Sequence, residues 1–179
     1  MRTMTVVAMG MFFVGGVRAE DKGVVVELDG LKSTTPAGWT EAKLEAMRVF
    51  QFKAPKAEGD DADADISVFS FPPGSSGTLE ANLERQVKRF DPASKPEVKV
   101  EKLKVGPFEG AYQSTTGTYL LKAGGPFDPN AKVTPKKDYT QLYVIFKGKK
   151  GDHYVWIMGP AKTVAKHKKD FEGWLTKFE

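Results

Sequence analysis

Residues 139–158 constrain the fold of this chain more than any other stretch. Leu142, Val144 and Phe146 point one way from an extended backbone while Tyr143 and Ile145 point the other. Beyond Gly148-Lys149-Lys150-Gly151-Asp152 the pattern resumes, with Tyr154, Trp156 and Met158 opposing Val155 and Ile157. The glycine-bearing joint is hairpin chemistry, so the two runs form a central antiparallel pair. A strand apolar on one face needs one covering layer; a pair apolar on both must be covered above and below.

Two helical segments supply that cover. Leu79, Leu83, Val87 and Phe90 recur at helical spacing after Gly74-Ser75-Ser76-Gly77-Thr78, with Thr78 as N-cap, Glu80 in the first turn, a Glu84–Lys88 pair and a stop at Asp91-Pro92. Val164, His167, Phe171, Trp174, Leu175 and Phe178 form a second stripe on a helix that opens at Pro160 and runs to Phe178. Shorter strands are expected over Val24 to Leu28, with an Asp29-Gly30 turn, over Met47 to Phe52 and over Ile66 to Phe71. Val98 to Val105 and Phe108 to Thr116 read as an antiparallel pair near a sheet edge, continued by Gly117-Thr118-Tyr119. Lys122 to Lys137 carries no periodic signal and reads as a long mobile loop. The expected architecture is a single α+β domain, a mainly antiparallel sheet of about six or seven strands with a helix on each face, in other words an α/β/α sandwich.

The amino terminus reads as an address. Arg2 precedes an apolar run from Met4 to Val17, and Val17-Arg18-Ala19 resembles a signal-peptidase site, placing a signal peptide at 1–19 and the mature domain at 20–179. The run is about 14 residues, short of the roughly 20 that span a bilayer, so no transmembrane segment is expected after its removal. The expected location is periplasmic or secreted. Without Arg2 and Arg18 the 27 basic residues fall to 25, against 23 acidic, a balance that gives no global pull toward nucleic acid. There is no cysteine, which excludes disulfide frameworks, thiolate nucleophiles and iron-sulfur clusters.

Few motifs carry chemistry. Asp61, Asp63 and Asp65, with Glu58 and Asp60, begin like a calcium loop, but Ile66 stands where the turn glycine belongs and Pro72 where the bidentate glutamate belongs. The acidic run reads as a solvated loop, and no metal or cofactor is expected. Gly74 to Thr78 lies between strand and helix, where free amides hold an anion, yet it lacks the P-loop lysine and the nucleophile-elbow spacing around Ser76. His153 and His167 are the available bases for a serine nucleophile, and His167 sits within an apolar stripe. Seven lysines against one acid between Lys147 and Lys169 form a basic face. Lysine without arginine there suits a hydrated charged surface better than bidentate recognition. On the first helix, Arg85 and Arg89 are neighbours at i, i+4 and repel unless an acidic group lies close.

Thr35-Pro36-Ala37-Gly38-Trp39, Arg48 with Phe50 and Phe52, Ile66 to Phe71, Gly74 to Thr78 followed by Asn82 and Arg85, Gly117-Thr118-Tyr119 and Gly159-Pro160 occur in an order that resembles the PsbP-like fold superfamily. The resemblance spans nearly the whole mature chain and implies a fold whose members mostly act as accessory or binding proteins; no catalytic motif carries over. The expected function is that of a non-enzymatic accessory or binding protein engaging an unknown protein or an anionic cell-envelope partner. The candidate binding residues are Ser75, Ser76, Gly77, Thr78, Asn82, Arg85 and Arg89, and no catalytic residue is assigned. The alternatives are a hydrolase with its site near Gly74 to Thr78 and a structural envelope component.

Overall fold

The computed structural model describes residues 22–45, 47–123 and 131–179. The proposed signal peptide lies outside them. In chain order the elements are β1 (Val25–Leu28), β2 (Leu31–Thr34), β3 (Thr40–Glu41), β4 (Phe50–Ala54), β5 (Ala64–Phe71), α1 (Leu79–Val87), β6 (Glu97–Val105), β7 (Phe108–Ala123), β8 (Lys132–Lys147), β9 (Asp152–Pro160) and α2 (Ala161–Thr176). β1 and β2 form a hairpin across Asp29 and Gly30, both at positive φ, as a two-residue turn of this hand requires. The remaining seven strands make one antiparallel sheet in the order β3-β4-β5-β9-β8-β7-β6.

The expected central pair is β8 with β9, in a register that sets Leu142 opposite Ile157, Tyr143 opposite Trp156 and Val144 opposite Val155. The alternation of pleats then divides the sheet into two unlike faces. On one, Ala64, Ile66, Val68, Leu142, Val144, Phe146, Val155 and Ile157 are buried against Val164, Phe171, Trp174, Leu175 and Phe178 of α2 and its C-terminal extension, together with Phe52 and Trp39. The β1–β2 hairpin closes the end of this layer. Val26 and Leu28 enter the core, Ser33 Oγ donates to the Trp174 carbonyl, and Lys32 exchanges two backbone hydrogen bonds with Glu179. The other face carries Phe69, Tyr143, Ile145 and Tyr154, with Trp156 and Leu83 packed against them, and α1 lies over it.

α2 has no side-chain cap of its own at Pro160. Asp60 supplies one across 103 residues of sequence, accepting from the Thr163 amide at 2.9 Å and the Thr163 hydroxyl at 2.6 Å. The acidic run is therefore more than a solvated loop: Asp63 also accepts from the Lys56 amide, and Asp65 pairs with Lys53 at 2.6 Å.

Two expected boundaries shift. The strand expected from Met47 begins at Phe50, because Met47 sits at φ 65° and leaves the extended region, with Met47 and Val49 exposed. Much of the loop expected over Lys122 to Lys137 is strand: Tyr119 to Ala123 pairs with Lys132 to Lys136 in a long β7–β8 hairpin, and 124–130 lie outside the described residues. β9 pairs with β8 only from Tyr139 onward, so Pro135 stands on an edge segment where its missing N–H breaks no second ladder. Its exposed neighbours leave no apolar alternation to read.

Candidate functional site

The site is built where α1 meets the sheet. Thr78 caps the helix, its hydroxyl accepting from the Ala81 amide at 3.2 Å. The apolar stripe expected to face the core does so only in part: Phe90 is buried and Leu83 packs half-buried on the aromatic cluster, but Leu79 is exposed, Val87 is half-buried, and the buried helical residues are Asn82 and Gln86. The surface below explains this rotation. Gln113, Thr115, Gln141, Tyr143, Tyr154 and Trp156 share this face of the sheet, a floor of aromatic rings with polar tips that a purely aliphatic stripe would leave unsatisfied. Gln86 Oε1 accepts from Gln141 Nε2 and from Arg89, both at 3.2 Å. Asn82 donates to the Ser76 and Thr78 carbonyls and accepts from Arg85, each at 2.8 Å. The seam still leaves Gln113 Oε1, Thr115 Oγ1, Gln141 Oε1 and the Tyr154 hydroxyl buried without a partner among the described residues.

Arg89 lies half-buried at the edge of this floor. Its guanidinium is 4.9 Å from the Trp156 ring centre and 5.3 Å from that of Tyr119, whose hydroxyl accepts from it at 2.7 Å. Tyr119 in turn stacks on Tyr139. Arg85 is exposed one turn earlier. Among the described residues neither guanidinium forms an ion pair, whereas Arg48 on the same face pairs with Glu45 at 2.6 Å, bonds Ser67 and lies over Phe69. Burial pushes the Tyr143 phenol well above its ordinary value, with Tyr154 adding to the shift and the positive charges of Arg85 and Arg89 opposing it. Arg89 is thus a cation held on an aromatic ledge, with the exposed Arg85 one turn away.

The loop that precedes α1 is already committed to an internal anion. Asp152, buried at the start of β9, accepts from the Gly74 amide at 3.1 Å and from Ser76 Oγ. Ser75 Oγ donates to the Pro72 carbonyl, and Gly77, at φ 80°, faces open space. The seven candidate residues thus fall into two groups. Ser75, Ser76, Gly77, Thr78 and Asn82 shape and fasten the helix start, while Arg85 and Arg89 present charge.

Neither histidine meets those serines. His167 Nδ1 accepts from Trp39 Nε1 at 3.4 Å, which leaves its proton on Nε2, donating to the Pro55 carbonyl at 2.8 Å. His153 lies in register opposite Ser70, stacked on Phe146, with both ring nitrogens unpartnered and Asp29 Oδ1 3.7 Å away. Burial drives the His153 pKa down against the opposing pull of Asp29. Burial raises that of Asp29, but the amides of Lys150 and Lys149, helped by His153, outweigh it and hold the carboxyl below its usual value. By accepting from the Lys149 and Lys150 amides, Asp29 latches the β1–β2 turn onto the β8–β9 turn. Where the sheet ends beyond Tyr139, two open concavities of about 280 and 200 Å³ are lined by Asp60, Asp61, Lys136 and Tyr139 and by Lys53, Asp65, Tyr119 and Met158. Of their charged groups, Lys53 pairs with Asp65 and Asp60 is held by Thr163.

No family model matches the chain, and no curated protein matches it. Among solved structures it is similar to the solution structure of PsbP from the cyanobacterium Synechocystis, with a TM-score of 0.51 at 15% identity over 94% of this chain and 98% of that one. A protein of unknown function from Pseudomonas aeruginosa aligns with a TM-score of 0.42 at 8% identity, over 85% of this chain and 92% of that one. The fold is PsbP-like, as the order of sequence motifs implied.

Proposed function

We propose that the chain is an exported, non-catalytic accessory protein that engages an acidic protein partner through Arg85 and Arg89, with Ser76, Thr78 and Asn82 holding the helix that presents them. The observation that carries this reading is the pair of guanidiniums one turn apart with no acidic partner among the described residues. Two such charges repel in isolation. Arg89 tolerates the arrangement because Trp156 and Tyr119 offer ring faces in place of a carboxylate, and a bidentate partner carboxylate would complete both. The commitment of Ser75 to Pro72 and of Ser76 to Asp152 supports binding over hydrolysis at this loop. Export rests on Arg2, the apolar run after it and cleavage after Ala19. Among the described residues no helix is long and apolar enough to cross a membrane.

The test is a fluorescence-anisotropy titration of a labelled glutamate-rich peptide against residues 20–179. Replacing Arg85 and Arg89 together with alanine weakens binding about tenfold or more, and added salt weakens the wild type in parallel. Equal affinity for the double variant and the wild type overturns the proposal.

A further inference from the structure

β6 ends the sheet, and its outer edge has no strand beside it among the described residues. Glu97 through Lys102 are all exposed, Val100 at 54% and Val98 at 39% among them. Two of the usual deterrents to edge pairing are missing over this stretch: its ladder to β7 runs from Glu97 to Val105 without a register shift, and no proline interrupts it. Charge is present, but its order matters. Reading Glu97-Val98-Lys99-Val100-Glu101-Lys102-Leu103, Val98, Val100 and Lys102 share one face and Lys99, Glu101 and Leu103 the other.

We infer that β6 pairs antiparallel with β6 of a second copy of this chain about a two-fold axis at Val100, joining two sheets edge to edge. Residues opposite one another across such an axis must lie on the same face of the continuous sheet, so the axis passes through a residue rather than between two. With the axis at Val100, Lys99 faces the partner's Glu101, Glu101 faces the partner's Lys99, the two Val100 side chains meet, and Val98 lies along the partner's Lys102 stem. Moving the axis to Lys99 sets Glu97 against Glu101 and Lys99 against itself; moving it to Glu101 sets Glu101 against itself. Val100 is thus the centre that pairs Glu97 to Leu103 in full without opposing like charges. The occupant follows from the strand itself, since its own charge order is the complement it needs. Lys99 exchanges its in-strand contact with Glu97, now at 2.8 Å between two exposed side chains, for one across the interface.

Sedimentation equilibrium of residues 20–179 over a concentration series tests this pairing. The wild type self-associates reversibly to a dimer. Lys99→Glu brings its new carboxylate against the carboxylate of the partner's Glu101, and Glu101→Lys brings its new ammonium against that of the partner's Lys99, so each variant alone dimerises about tenfold or more weakly. An equimolar mixture of the two restores the dimer, because every facing pair is then opposite in sign. Circular dichroism and the urea midpoint of each variant report that the fold is intact. A wild type that stays monomeric into the millimolar range, single variants that dimerise as well as the wild type, or a mixture that gains nothing over its components would each overturn the inference.

Discussion

Removing the Asp60 carboxylate tests the long-range cap on α2. In Asp60→Ala the Thr163 amide and hydroxyl lose their acceptor together, and Thr163 is fully buried, so water does not replace it. Loss of a capping acceptor costs about 1–2 kcal/mol. The second bond adds about 1 kcal/mol, while the Thr163 oxygen keeps the Ala57 amide as a donor at 3.0 Å. The expected loss is about 2–3 kcal/mol. With a urea m-value of about 2 kcal/mol/M, the midpoint falls by about 1 M or slightly more. Asp60→Asn, which retains an oxygen, loses about half as much. Asp61→Ala, next in sequence and exposed, stays within about 0.5 kcal/mol of the wild type. Equal midpoints for Asp60→Ala and Asp61→Ala would refute the cap.

Gly106 sits at φ 54° and a Cβ there would lie 2.2 Å from the Phe178 carbonyl, so Gly106→Ala loses about 3 kcal/mol in urea unfolding. Gly77→Ala, at φ 80° with open space around it, loses only about 1 kcal/mol; equal losses would remove the packing argument. His153 is held below its ordinary value of 6.5 in the folded chain, so between pH 6.5 and its folded pKa the unfolded chain binds more protons and stability falls as pH falls. His153→Gln flattens that part of the stability profile below about pH 6.5; superimposable profiles would contradict it. Asp29, held below 3.8, contributes stability that is complete above that pH and lost as pH falls through its lower folded value, a step that Asp29→Asn removes from acid titration curves.

The architecture was legible in the sequence because the decisive signal was local. The alternation in residues 139–158 fixed both faces of β8 and β9, and the α2 stripe from Val164 to Phe178 is buried as its spacing requires. The site was legible in part. Arg85 and Arg89 stood out by charge and spacing, but the orientation of α1 depended on a floor assembled from three distant strands, so of the Leu79–Leu83–Val87–Phe90 stripe Leu83 and Phe90 pack inward while Leu79 stays exposed and Asn82 and Gln86 are buried. One signal was available: Tyr143, Tyr154 and Trp156 alternate onto a single face, and rings with polar tips call for a polar partner above them. Asp60, Asp152 and Asp29 were beyond reach, since each is defined by a partner more than 70 residues away. The β7–β8 arm was hidden for the opposite reason, its exposed lysines and Pro135 giving no alternation at all.

The most direct test of the proposed recognition surface is a ¹⁵N–¹H chemical-shift titration of residues 20–179 with the glutamate-rich peptide. The account predicts that perturbations cluster on the Arg85 and Arg89 side chains, the Trp156 indole and the backbone of α1, while α2 and the β8–β9 turn stay fixed. Perturbations centred on the lysines from Lys147 to Lys169, with α1 unmoved, would contradict it.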